Sequence, residues 1–285
     1  MRLDGPESRN IEDRRGRGGM RRGGIAVGGL GGVALVLLCL FLGVDPSILF
    51  TDMQSGGGPV ATQQSAPTAN GEDPERRFVA QVLGDTEQVW KTQFQQLGRT
   101  YRDPALVLFT GATQSGCGTA QAQVGPFYCP NDERVYIDLD FMAQLQRQLG
   151  ANGDFAAAYI IAHEVGHHVQ NQLGILDLTR RLQEQSGDPA DANAIQVRVE
   201  LQADCFAGLW ARQADQARAI LEKGDVEEGL NAAASVGDDR LQRRAQGRVQ
   251  PESFTHGSSE QRVQWFRTGL QRGELAACDT FAGLR

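Results

Sequence analysis

Three of the chain's four histidines fall in the run His163-Glu164-Val165-Gly166-His167-His168. On a helix, residues four apart share a face, with Cβ atoms ~5–6 Å apart. His163 and His167 can therefore reach one metal ion through their imidazole nitrogens. Glu164 is turned by about 100° along the same helix, which sets it beside the ion as a base for water rather than as a ligand. Three protein ligands would leave a fourth position open for reacting water, unlike a closed structural zinc site.

The third ligand has to come from elsewhere. A third histidine six residues after His167 would complete one known pattern, but that residue is Leu173, and Gln170 stands where that pattern wants glycine. A glutamate from a later helix is the other common solution. Glu200-Leu201-Gln202-Ala203-Asp204 offers Glu200 as ligand, with Asp204 one turn on to accept the N–H of a ligand histidine and hold its tautomer. His168 points about 100° away from His167 and is expected to pack or to form hydrogen bonds. His256, in Thr255-His256-Gly257-Ser258, either donates to a developing oxyanion or is a polar surface residue.

These groups need elements to carry them. Asp154 can cap a helix through Phe155, Ala158, Tyr159 and Ala162 and past Val169, and a second helix is expected over about Asp191 to Gln213. Ser258 and Gln261 form a capping-box signature for a last helix containing Val263, Trp265, Phe266 and Leu270. Upstream, Val79, Val82, Leu83, Trp90, Phe94 and Leu97 recur at helical spacing. Residues 105–110 read as a buried strand, 111–133 as a loop and 134–139 as a half-buried strand. Asp140 can cap a short helix ending before Gly150. Early strands followed by helices predict an α+β fold, mostly helical with a small sheet.

The net charge of −7 is uneven: residues 1–24 hold seven arginines against four acids. The acidic remainder argues against nucleic acid as a partner, because phosphate binding needs clustered Lys and Arg. Residues 25–44 carry no charge and as a helix would span ~30 Å, the hydrocarbon thickness of a bilayer. Five arginines from Arg14 to Arg22 precede this run, and no Lys or Arg follows until Arg76. The positive-inside rule then predicts a single-pass cell-membrane protein with its N-terminus in the cytoplasm and its main domain outside. An uncleaved anchor is preferred to a signal peptide, since no small-x-small cleavage site follows the run. The expected organisation is a basic head (1–24), a transmembrane helix (25–44), a flexible linker (45–75) rich in Gly, Ser, Gln and Pro, and a domain over 76–285. Cys39 falls in the apolar run. Of the three pairings open to the other four cysteines, Cys117–Cys129 and Cys205–Cys278 are preferred, in an oxidising compartment.

The run His163–Gln170 resembles the signature of the bacterial neutral zinc metallopeptidase family. So do Gly125-Pro126-Phe127-Tyr128-Cys129-Pro130, Tyr136-Ile137-Asp138, Glu200–Asp204 and Thr255–Ser259, in the same order along the chain. The resemblance implies a zincin-like domain with Zn²⁺ on His163, His167 and Glu200, and Glu164 as general base. It further implies His256, with Arg262 a weaker candidate, at the oxyanion, and 134–139 as an edge strand on which a polypeptide substrate adds. The implied activity is a membrane-anchored zinc endopeptidase. An amidase acting on a cell-wall amide and a catalytically retired adaptor are the alternatives, and neither the oligomeric state nor the natural substrate is legible.

Overall fold

A computed structural model describes residues 1–16, 73–121, 125–140, 142 and 153–282. The elements are β1 (Ile11–Asp13), α1 (Pro74–Gln96), β2 (Ala105–Phe109), β3 (Ala112–Ser115), β4 (Gly118–Gln121), β5 (Phe127–Cys129), β6 (Arg134–Asp138), α2 (Asp154–Gln172), α3 (Ile175–Gln185), α4 (Pro189–Arg218), α5 (Asp225–Ser235), α6 (Asp238–Gln246) and α7 (Ser259–Arg272). The α+β class expected from the sequence is what forms. The expected span 25–44, nearly all of the linker, and most of the helix expected after Asp140 lie outside the described residues. No helix among the described residues is long and apolar enough to cross a membrane.

One sheet runs in the order β1-β2-β6-β5, with β1, β2 and β6 parallel and β5 antiparallel to β6. β2 (Ala-Leu-Val-Leu-Phe) is apolar throughout because both its faces are covered. Leu106, Leu108, Val135 and Ile137 join the main core with α1 and α2, and Val107, Phe109, Tyr136 and Cys129 form a second cluster with Ala120 of the β3–β4 hairpin. That hairpin and β5 occupy the stretch expected to be loop. It also changes β6, which is buried on both faces rather than on one: Tyr136 donates to Asp132 Oδ2 (2.6 Å) and Asp138 Oδ2 accepts from Gly111 N (2.8 Å). β6 is moreover flanked by β2 and β5, so the expected edge strand is central, and the edges of the sheet are β1 and β5.

The helix ends follow local chemistry. Asp73 and Asp188 cap α1 and α4, each with proline in the first turn, so α4 starts two residues before the expected Asp191. Asp154 lies inside the first turn of α2 and Gly153 takes the cap position. At α7 the capping box is complete: Ser258 Oγ accepts from Gln261 N (3.2 Å) and Gln261 Oε1 from Ser258 N (2.9 Å). Residues 1–16, expected as a separate head, instead lie along this domain and contribute β1.

Both preferred disulfides are present, Cys117–Cys129 and Cys205–Cys278. The second closes a separation of 73 residues and ties α4 to the C-terminal segment, the first only 12. On loop-closure entropy, removing Cys205–Cys278 by paired alanine substitutions is expected to cost about 4 kcal/mol, against about 3 for Cys117–Cys129. Urea unfolding of the two paired variants checks the order.

Candidate metal centre

α2 and α4 cross closely enough for their backbones to touch. A Cβ on Gly166 would stand 3.1 Å from Ala203 O and 3.2 Å from Ala203 Cα. The glycine inside the histidine run is thus what lets α2 approach α4 and brings His163, Glu164 and His167 opposite Glu200 and Asp204. The ligand atoms of His163, His167 and Glu200 lie within 4.8 Å of one another. Glu200 Oε2 is 3.2 Å from His163 Nε2 and 3.7 Å from His167 Nε2. Tetrahedral ligands ~2.0–2.1 Å from zinc stand roughly 3.3 Å apart, so the donor set suits that ion in both kind and spacing.

Each ligand is aimed by a second group. His163 Nδ1–H donates to Asp204 Oδ1 (2.9 Å), leaving Nε2 for the ion, which is the arrangement expected of Asp204. His167 Nδ1–H donates to Gln170 Oε1 (2.9 Å). Gln170 is anchored in turn by donation to Val199 O (2.8 Å) and Gln202 Oε1 (3.1 Å), and Gln202 donates to Cys278 O (2.9 Å). Gln196 Nε2 donates to Glu200 Oε1 (3.0 Å). Asp204 is fully buried and takes two bonds from Arg262, Nε to Oδ2 (2.8 Å) and Nη2 to Oδ1 (2.9 Å), with a third from the Tyr159 hydroxyl.

The electrostatics follow from this. Burial alone would pull the His163 imidazole down, but Asp204 and Glu200 outweigh it and push its pKa up to about 9 in the metal-free protein. Burial works against ionised Asp204 too, yet Arg262 and His163 bring it down to about 2. Glu200 is buried as well, and the two histidines hold it well below the usual carboxylate range.

Arg262 lines the groove and is held mainly by Asp204. It is buried, its guanidinium is engaged by Asp204, and Nη1 donates to Val236 O (3.3 Å). His256 rims the same groove with its side chain about half exposed. Its loop is gathered on Asp238, whose Oδ2 accepts from the backbone N–H of Thr255 (2.8 Å), His256 (2.6 Å) and Gly257 (3.0 Å). His256 Nδ1–H donates to Asp238 Oδ1 (3.3 Å), and although burial pulls the other way, this carboxylate raises the imidazole's pKa. His168 is buried and structural: Nε2–H donates to Arg102 O (2.7 Å) and Nδ1 accepts from Tyr128 OH (3.1 Å), fastening α2 to β5.

Gln170, Tyr159 and Asp238 have positioning roles that the sequence reading did not assign. The first two were within reach of it, since Gln170 is three residues after His167 and Tyr159 four before His163, so each faces its histidine on the helix. Asp238 gave no such signal, because an acid in a helix's first turn is ordinary. Gln170→Ala is expected to weaken zinc binding 10–100-fold, as read by competition with a chromophoric chelator.

A groove of about 1150 Å³ opens over His163, His167 and Glu200, with Phe127, Tyr128, Ile160, Leu176, Val199 and Leu241 among its walls. Glu164 is buried in its floor beside the two histidines.

A family model described as "Putative neutral zinc metallopeptidase" matches residues 1–281. The chain belongs to this family. It is 49% identical over 283 residues to an uncharacterized protein, YpfJ, of Escherichia coli K12, covering 96% of both chains. It is 40% identical over 269 residues to an uncharacterized protein of Mycobacterium tuberculosis H37Rv, covering 85% of both. No solved structure matches it. Family membership agrees with a donor set of two imidazoles and a carboxylate, and the match takes in the N-terminal residues as well as the metal-binding helices.

Proposed function

We propose that the protein is a zinc-dependent endopeptidase that hydrolyses polypeptide chains lying in this groove, with zinc held by His163, His167 and Glu200. The observation that carries this reading is the convergence of three aimed ligands beside buried Glu164 on the floor of an open groove. When bound there, zinc supplies a Lewis acid that polarises a carbonyl and lets water ionise near neutral pH. Glu164 accepts the proton of the attacking water and passes it to the leaving amine, so the base is reset in each cycle. His256, held by Asp238 through Nδ1, has Nε2–H to donate to the oxyanion when protonated, and its raised pKa favours that form. Asp204 and Gln170 keep each histidine in the tautomer that offers Nε2 to the ion.

β5 supplies a place for the substrate. It is one of the two edge strands of the sheet, and Phe127 and Tyr128 line the groove. An extended peptide pairing with it would be fixed by main-chain hydrogen bonds, with side chains directed to the apolar walls. The two disulfides support work in an oxidising compartment outside the cytoplasm, and the uncharged run 25–44 supports attachment to a membrane.

Purified protein is expected to hold one zinc per chain and to cleave an unfolded polypeptide. A strong chelator should abolish cleavage and equimolar zinc restore it. Zinc-loaded protein with no turnover on any polypeptide would instead indicate a retired site.

A further inference from the structure

The N-terminal residues are built into the domain on several sides. β1 pairs with β2 in the register Ile11–Leu106, Glu12–Val107 and Asp13–Leu108. Backbone bonds extend the contact: Leu106 N donates to Asn10 O, Arg14 N to Leu108 O and Ser8 N to Ala80 O, each at 2.8 Å. Buried Glu87 of α1 accepts from the Ser8 hydroxyl and from Asn10 Nδ2 (2.8 Å). A Cβ on Gly84 would stand 2.3 Å from Pro6 O, so α1 has room for this segment only because glycine lies there. Arg14 donates to Gln114 O (2.8 Å) and Thr113 Oγ1 (3.1 Å) with its guanidinium 5.9 Å from the centre of the Tyr136 ring. Arg15 bonds both Asp13 and Asp73, the cap of α1.

We infer that residues 1–16 are a strand segment of the metal-binding domain, and that this segment and the domain therefore lie on the same side of any membrane the chain meets. One crossing by residues 25–44 would place ~30 Å of hydrocarbon between β1 and β2. It would also strip buried Glu87 of the Ser8 and Asn10 donors and open the β2 edge, a polar edge that proteins keep covered. Two of the five arginines that orient the apolar run, Arg14 and Arg15, have protein partners here instead of lipid headgroups. The Arg15–Asp73 contact holds residues 15 and 73 together on this same domain.

The test uses the full-length chain in spheroplasts, with Cys39→Ala as background. Arg9→Cys and Gln96→Cys, both at exposed positions, are made singly and treated with a membrane-impermeant maleimide. Equal labelling of the two before permeabilisation is expected. Labelling of one with protection of the other overturns the inference. A second arm joins Glu7→Cys to Arg77→Cys, where the native side chains stand 3.2 Å apart, with a short bis-maleimide. A cross-link within one chain is expected, and its absence while each single cysteine reacts with a simple maleimide shows that the segment is not docked.

Discussion

Glu164→Gln is expected to leave zinc bound and to lower peptide hydrolysis by about 10²–10⁴-fold, the usual contribution of a positioned general base. The substitution keeps the size and hydrogen-bonding reach of the side chain, but an amide cannot accept the proton that attacking water must lose. Glu164 is not among the three groups placed to hold an ion, so zinc content, measured by elemental analysis, should match the wild type. The loss should appear in kcat more than in KM, since the base acts on the transition state rather than on substrate binding. Near-wild-type turnover with zinc retained would remove Glu164 from the mechanism.

Arg262→Met is expected to cost about 3–5 kcal/mol of stability, because it leaves the Asp204 carboxylate buried without its cation. Asp204 is 0% exposed and takes two of its bonds from this guanidinium. Denaturant unfolding of the metal-free protein measures the loss. Arg262→Met combined with Asp204→Leu separates fold from site: with both charges replaced by apolar groups, most of the stability should return. Zinc binding should still be weaker by about 10–100-fold, because His163 has lost the acceptor on Nδ1. Recovery of both quantities in the double variant would mean that Asp204 serves packing alone.

Much of the site was legible because helices make local spacing informative. His163 and His167 share a face, and Glu200 and Asp204 share another, so each pair could be read without knowing how the helices meet. The capping box at Ser258 and both disulfide pairings were likewise found as expected. The strands were harder. β3, β4 and β5 are three or four residues long, too short for alternation to declare itself, and lie among glycines and cysteines that read as loop. β6 was expected to be half-buried and at an edge, because nothing in its own residues tells of the hairpin over one face or of β5 beside it. Residues 1–16 misled for a related reason. Their arginines counted as free charge on the chain, whereas Arg14 and Arg15 are tied to groups more than 50 positions away.

By itself, then, the sequence determined the candidates: which side chains are of the type and spacing to bind an ion or take a proton, and which helices carry them. These are properties of residue type and of a repeat only four positions long. The tertiary structure decided how they are used. Gly166 against Ala203 sets the distance between α2 and α4, Arg262 pairs with Asp204, and Asp238 gathers the His256 loop. β5 takes the edge, and the N-terminal strand joins the sheet. Each of these depends on the packing of groups far apart in the chain, where burial and hydrogen-bond satisfaction choose the partners and sequence spacing carries no record of the choice.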